Sequence, residues 1–298
     1  MFQAIVETGR FTGAAEKLYV AQPSVSLQIR QLEDELGTTL FMRLKNRKVV
    51  LTEAGKVLRG HADVIFRQCQ TAKMEISALT NEPSGQIRIG LGGHQLTSML
   101  PPPLTMFHQR FPKVHVDIVN STTPRLVELL KANQLDLAVL NLPVNAREIR
   151  TESMFTEELV VVVAKKHPLA GRRDIEPGEI GALPLVLYDQ TTSTRQRLDD
   201  FFAQHGVRPN IAFELSSVEA MKSMVAAGLG ATIVPQSALL SGENTKSLHS
   251  MKIRGTILSR SVGLAKPVMP RLPMVIDWMA ARLKERFREI AEKLRRHR

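Results

Sequence analysis

The sequence predicts two architectures in one chain: an N-terminal all-α winged helix-turn-helix with a linker helix, then a C-terminal two-lobed α/β region. Three observations predict it. Short helical stripes with a polar outer face and a glycine stop fill residues 11–37. A seven-residue apolar repeat runs from Leu58 to Leu79. Beyond Gly85, apolar strand-like runs alternate with helical periodicity almost to the end.

Met1–Thr8 reads as a short helix with Phe2, Ile5 and Val6 inward. Ala14, Ala15 and Leu18 mark the apolar stripe of the next one. After a turn at Val20 and Ala21, Gln22-Pro23 opens a third helix, because proline's missing N–H costs nothing in the first turn. Val25, Ile29, Leu32 and Leu36 form its buried face; Ser24, Ser26, Leu27, Gln28, Arg30 and Gln31 face outward, and Gly37 stops it. Two short helices, a tight turn and a polar outer face describe a helix-turn-helix, whose second helix enters a DNA major groove. Arg43, Lys45, Arg47 and Lys48 lie between Leu40-Phe41 and Val49-Val50-Leu51, a two-stranded wing with cations for phosphates or a minor groove.

Together these residues resemble the winged helix-turn-helix of LysR-type transcriptional regulators. The matching positions are Phe11-Thr12, Ala14-Ala15, Leu18, Gln22-Pro23, Val25-Ser26, Leu32-Glu33, Glu35-Leu36-Gly37, Leu40-Phe41, Arg43, Leu51-Thr52 and Ala54-Gly55. The resemblance implies that Gln22, Pro23, Ser24, Ser26, Leu27, Gln28 and Arg30 meet bases and flanking phosphates, with Arg43, Lys45, Arg47 and Lys48 on the backbone. The family often has a basic residue at the position of Leu27; leucine packs against a thymine methyl but donates no hydrogen bond. The family's first helix is one or two turns longer, so the helix at residues 1–8 corresponds to its second half.

Thr52 is the expected N-cap of a long helix reaching about residue 82, before Pro83-Ser84-Gly85. Leu58, Ala62, Ile65, Cys69, Ala72, Ile76 and Leu79 alternate steps of four and three, which predicts a coiled-coil dimer seam with Cys69 as a small apolar member. The domains are then residues 1–55, the linker 56–85 and an effector-binding region 86–298. Strands are expected at 86–91, 114–119, 135–140, 158–164, 184–188, 210–214 and 231–234, and helices at 96–111, 124–133, 193–205, 217–227 and 273–296. Crossings between lobes near 158–165 and 261–268 would divide lobe I (86–163 and 267–298) from lobe II (164–266). This order resembles the effector region of the same family, similar in fold to two-lobed periplasmic binding proteins. The matches are Ile89-Gly90, Leu100-Pro101, Phe107, Phe111-Pro112, Leu135-Asp136-Leu137-Ala138, His167-Pro168-Leu169, the run from Val225 to Ala231, and Pro235.

Hydroxyl-rich helix starts recur here: Thr97-Ser98, Ser121-Thr122-Thr123, Thr191-Thr192-Ser193 and Ser216-Ser217. Capping alone accounts for any one of them. Helix N-termini at the ends of parallel strands also bind anions, and in the family equivalent segments line the inter-lobe cleft. Thr97, Ser121, Thr122, Thr192, Ser193 and Ser216 are therefore the candidates for a small anionic effector, whose binding would shift the balance between two lobe arrangements. His94 reads as a loop residue.

The 298 residues carry a net charge of +11, but residues 1–82 hold 11 basic and nine acidic side chains, so the DNA argument rests on the wing and not on bulk charge. One cysteine excludes an internal disulfide and any multi-cysteine metal site. The N-terminus has no charged-then-apolar signal segment, so the chain is expected to stay in the cytoplasm, and no apolar run approaches the length of a membrane span. Gly90-x-Gly92-Gly93 lacks the third glycine of a dinucleotide fingerprint, and neither a His-Glu-x-x-His pair nor a Gly-x-Ser-x-Gly elbow occurs, so no cofactor, metal or enzyme is expected. The expected partners are double-stranded DNA, the effector and further copies of the chain, as a dimer or tetramer. A solute-binding protein without DNA function is the alternative reading; it leaves the heptads and the basic wing unexplained.

Overall fold

A computed structural model describes residues 1–43, 48–79, 83–240, 242, 244–268 and 273–296. It divides into two compact units, Met1–Thr71 and Ala72–Arg298.

The first unit holds α1 (Phe2–Thr8), α2 (Phe11–Leu18), α3 (Gln22–Leu36), the hairpin of β1 (Phe41–Arg43) and β2 (Val49–Leu51), and the start of α4 (Glu53–Leu79). Ile5, Ala14, Ala15, Val25, Ile29 and Leu40 form its core, and Phe41 stacks on Phe2 and Phe11 at 5.2 and 5.9 Å. Gly37 takes the left-handed conformation that ends α3. Leu36, expected on the buried face, is 49% exposed: it is the last residue of a 15-residue helix that outruns the eight-residue α2. Glu33 reaches back to accept from the Leu40 amide at 2.6 Å, fixing the start of the wing. Thr52 accepts from the Gly55 amide at 3.0 Å as the expected cap, and a Cβ at Gly55 would collide with the Leu40 carbonyl.

Along α4 the heptad positions do not behave alike. Leu58 and Ala62 pack on the small unit's core, and Met74 packs into the core of the second unit. Ile65, Ile76 and Leu79 are 62%, 63% and 84% exposed within one chain, and Cys69 is exposed as well. The first two positions of the heptad run are thus taken up within the small unit, and the expected dimer seam has only the later ones left to it.

In the second unit, the first lobe is built on β3 (Gly85–Leu91), flanked by parallel β4 (Val114–Asn120) and β5 (Leu137–Leu142), with β12 (Ser259–Pro267) antiparallel to β5. Helices α5 (Gly93–Ser98), α6 (Pro101–Arg110), α7 (Thr123–Lys131) and α11 (Met274–Arg296) also belong to it. The expected helix at 96–111 is two helices, because Pro101 to Pro103 restart the chain as a new first turn. Every residue of the stripe Val275, Met279, Leu283, Phe287, Ile290 and Leu294 on α11 is buried.

Strand β6 (Ile149–Ala164) is shared. Its first part pairs with β12, and its last six residues pair with β10 (Thr232–Pro235) and β11 (Leu248–Ile253) of the second lobe. The lobe boundaries expected at 163/164 and 266/267 thus lie nearer 158/159 and 258/259. The physical reason is burial: Leu159 to Val163 sit in the second lobe's core, whereas Val262 and Leu264 sit in the first lobe's. The second lobe also contains β7 (Asp174–Ile175), α8 (Pro177–Ala182), β8 (Pro184–Tyr188), α9 (Ser193–Gln204), β9 (Asn210–Leu215) and α10 (Val218–Ala226). No helix among the described residues is long and apolar enough to cross a membrane.

Candidate nucleic-acid interface and inter-lobe cleft

In the first unit, α3 buries Val25 and Ile29 and so turns Gln22, Pro23, Ser24, Gln28 and Arg30 outward, with Ser26 half-exposed. The Gln22 amide donates to the Ser26 hydroxyl at 2.7 Å, tying together two donors of the first turn. Leu27 is 58% exposed, a large apolar side chain on an otherwise polar face. Tyr19, in the left-handed conformation at the turn into α3, is also fully outward; the sequence reading passed over it. Lys48 is exposed beside β2, while Lys45, Arg47 and the Arg43 side chain lie outside the described residues.

In the second unit a cavity of about 440 Å³ opens between the lobes. Thr97, Ser121, Thr122, Thr192, Ser193 and Ser216, named from sequence alone, all line it. They are not equivalent. Thr192 caps α9, accepting from the Arg195 amide at 3.2 Å and donating to the Asp189 carbonyl at 3.1 Å. Thr97 bonds back to the His94 carbonyl at 3.0 Å. Thr122 holds the N-cap position of α7 without a side-chain cap bond. Ser217, not Ser216, caps α10, accepting from the Ala220 amide at 3.3 Å. Three helix N-termini, of α7, α9 and α10, thus face one space from both lobes, each with a partial positive charge of about +0.5. Ser193 does more than line the wall: it accepts from Asn141 of the first lobe at 3.1 Å, so the two lobes touch directly across the cavity.

The walls also contain residues that the sequence reading missed. Asn141 ends the apolar run of β5, Tyr188 ends that of β8, and Arg260 opens β12. Each is a polar residue at the end of a buried strand, and that is the signal that was available. Arg260 donates through Nε and Nη2 to Glu157 Oε1 at 2.9 and 2.8 Å, and both side chains are buried. The other Glu157 oxygen accepts from the Ser237 amide at 3.0 Å, and the Ser237 hydroxyl lies 2.8 Å from His94 Nε2. His94, expected in a loop, instead lies buried in the first turn of α5, because the three prolines behind it push the chain into a separate short helix. Burial first, then the charges of Arg260 and Lys222, hold its pKa down to about 3, so the ring is neutral. Burial likewise pushes the Tyr188 phenol up. Lys222 is buried against Glu219 at 2.9 Å and donates to the Ala238 carbonyl at 2.7 Å. The cations near the cavity are therefore each paired with a carboxylate.

Comparison with known proteins agrees with this division. Residues 1–56 match the bacterial regulatory helix-turn-helix protein family of LysR type, and residues 80–288 match the LysR substrate binding domain. The chain is 33% identical over 272 residues to a probable RuBisCO transcriptional regulator of Porphyra purpurea, covering 89% of this chain and 85% of that one. It is 32% identical over 281 residues to the Hca operon transcriptional activator HcaR of Escherichia coli, covering 94% of each. Among solved structures, an OxyR mutant of Corynebacterium glutamicum shares 28% identity and a TM-score of 0.63 over 99% of this chain and 92% of that one. CbnR in complex with its target DNA shares the fold, with a TM-score of 0.69 at 21% identity over 96% and 97% of the two chains. The Synechocystis CcmR regulatory domain in complex with 2-PG shares it at 22% identity and a TM-score of 0.61, covering 67% of this chain and 96% of that one. With a helix-turn-helix match over its N-terminal residues, a substrate-binding-domain match over most of the rest, and curated relatives above 30% identity along nearly its whole length, the chain belongs to the LysR family of transcriptional regulators.

Proposed function

We propose that a small anionic metabolite binds in the inter-lobe cleft and changes how a dimer or tetramer of this cytoplasmic protein grips its operator. The convergence of the α7, α9 and α10 N-termini on one cavity carries this reading. With Arg260 and Lys222 each balanced by a carboxylate, the helix ends are what remains to stabilise an anion. The exposed Ile65, Ile76 and Leu79 on α4 supply an apolar seam for a second copy, which would set the spacing of two recognition helices on a two-fold operator. On DNA, Gln22, Ser24, Ser26, Gln28 and Arg30 read base edges and nearby phosphates, Leu27 contacts a thymine methyl, and the wing with Lys48 holds the backbone. No catalytic step is assigned to the cleft.

The test is retardation of duplex fragments from upstream of the protein's own gene, with and without 2-PG, the ligand in the CcmR complex, and inorganic phosphate. A preferred fragment is expected, with its affinity or mobility altered by at least one anion. In Lys48→Ala the salt dependence of binding should flatten by about one unit of slope across all sequences. Equal retardation of every fragment, unaffected by anions, would refute the reading.

A further inference from the structure

Asn141, near the end of β5, reaches both sides of the inter-lobe cavity. Its backbone amide donates to the Thr123 hydroxyl of the first lobe at 3.3 Å, and its side-chain Nδ2 donates to the Ser193 hydroxyl of the second lobe at 3.1 Å. Nδ2 also lies 3.5 Å from the Thr194 hydroxyl, while Gln95 Nε2 faces the side-chain oxygen at 3.5 Å, so the donor end of the amide points to the second lobe. Thr123, Asn141 and Ser193 all line the cavity, and each is only partly buried. An amide nitrogen gives a proton and takes none, so both hydroxyl oxygens act as acceptors toward Asn141. A hydroxyl that accepts in this way keeps its own proton to give. Among the described residues, neither the Thr123 nor the Ser193 hydroxyl donates to any protein atom.

We infer that Asn141 is a positioning residue of the effector site: it turns the Thr123 and Ser193 hydroxyls into donors, one from each lobe, for a single deprotonated oxyanion of carboxylate or phosphate type. Asn141 does this without touching the ligand, because its two N–H groups are already engaged by the hydroxyls. Each donor in such a chain polarises the next, so the bond from Ser193 to the anion is stronger with Asn141 behind it. An oxyanion held from both sides also ties the lobes together where Asn141 already bridges them. This inference rests on the cleft being the effector site.

The test is a double-mutant cycle on the full chain, titrated by calorimetry with inorganic phosphate and acetate, and followed with whichever of the two the wild type binds more tightly. Ser193→Ala should weaken that probe about tenfold, and Asn141→Leu, which keeps the bulk of the side chain, about threefold. The double variant should match Ser193→Ala, because without the hydroxyl Asn141 has nothing to orient. A loss of roughly thirtyfold in the double variant, the product of two independent losses, would overturn the inference by showing that Asn141 acts through the fold. Unchanged affinity in either single variant would overturn it too. Asn141→Ala completes the same cycle if the leucine variant does not fold. If the probe binds and the losses multiply, only the role of Asn141 is wrong; if the wild type binds neither probe, the anion reading of the cleft fails as well.

Discussion

Replacing His94 with glutamine should flatten the acid side of the stability profile. In the folded chain the imidazole is 5% exposed, lies 2.8 Å from the Ser237 hydroxyl, and has its pKa lowered from 6.5 to about 3. In the unfolded chain it titrates near its ordinary value, so between these two values the unfolded state binds a proton that the folded state refuses. Stability therefore rises with pH across that window and is lost as the pH falls through it. For a single group with these values, the loss from about pH 7 to about pH 5 is ~2 kcal/mol, and it keeps growing toward pH 3. The assay is urea unfolding at the two pH values, followed by fluorescence of Trp278, the only tryptophan. Trp278 packs against Phe107 and Phe111 at 5.9 and 5.5 Å, inside the lobe that holds His94. Wild type should lose about 2 kcal/mol more than His94→Gln over this interval. Equal losses in the two proteins would refute a buried, neutral His94.

The buried ion pair predicts an asymmetry. Glu157→Gln leaves the Arg260 charge unpaired and should cost ~3–5 kcal/mol in urea unfolding, while adding Arg260→Met should recover a large part of it. In the small unit, Ile29→Ala removes a side chain that is 3% exposed, with an expected loss of ~2–5 kcal/mol in that unit's own unfolding, followed by circular dichroism. On α4, a glutamate in place of Ile76 puts charge on the exposed seam and should shift sedimentation equilibrium toward monomer. An unchanged assembly would place the dimer contact elsewhere.

Much of the design was legible because it is local. The recognition helix announces itself through Gln22-Pro23, the four-three spacing of Val25, Ile29 and Leu32, and Gly37, each of which acts within one or two turns. The closing helix was equally plain, since six apolar positions at helical spacing face one core. Six of the hydroxyl residues that line the cleft are also legible, because helix starts after strands carry their own capping chemistry, whereas Thr123, Thr194 and Ser217 of the same wall are not among them.

What the sequence by itself determined, then, is the family, most of the elements in their order, and the polar outer face of α3. Only the tertiary structure decided where the lobes meet and what the cleft is made of. Glu157 and Arg260 are 103 positions apart, and His94 and Ser237 are 143 apart. Nothing in the periodicity around any of the four hints at its partner. Their pairing arises because β6 passes from one lobe into the other beside β12, and a buried charge or ring nitrogen must find its hydrogen bonds wherever that topology brings them. The same holds for Leu58 and Ala62. Their spacing matches Ile76 and Leu79, yet the small core has already claimed them, and a heptad does not record which surface will arrive first.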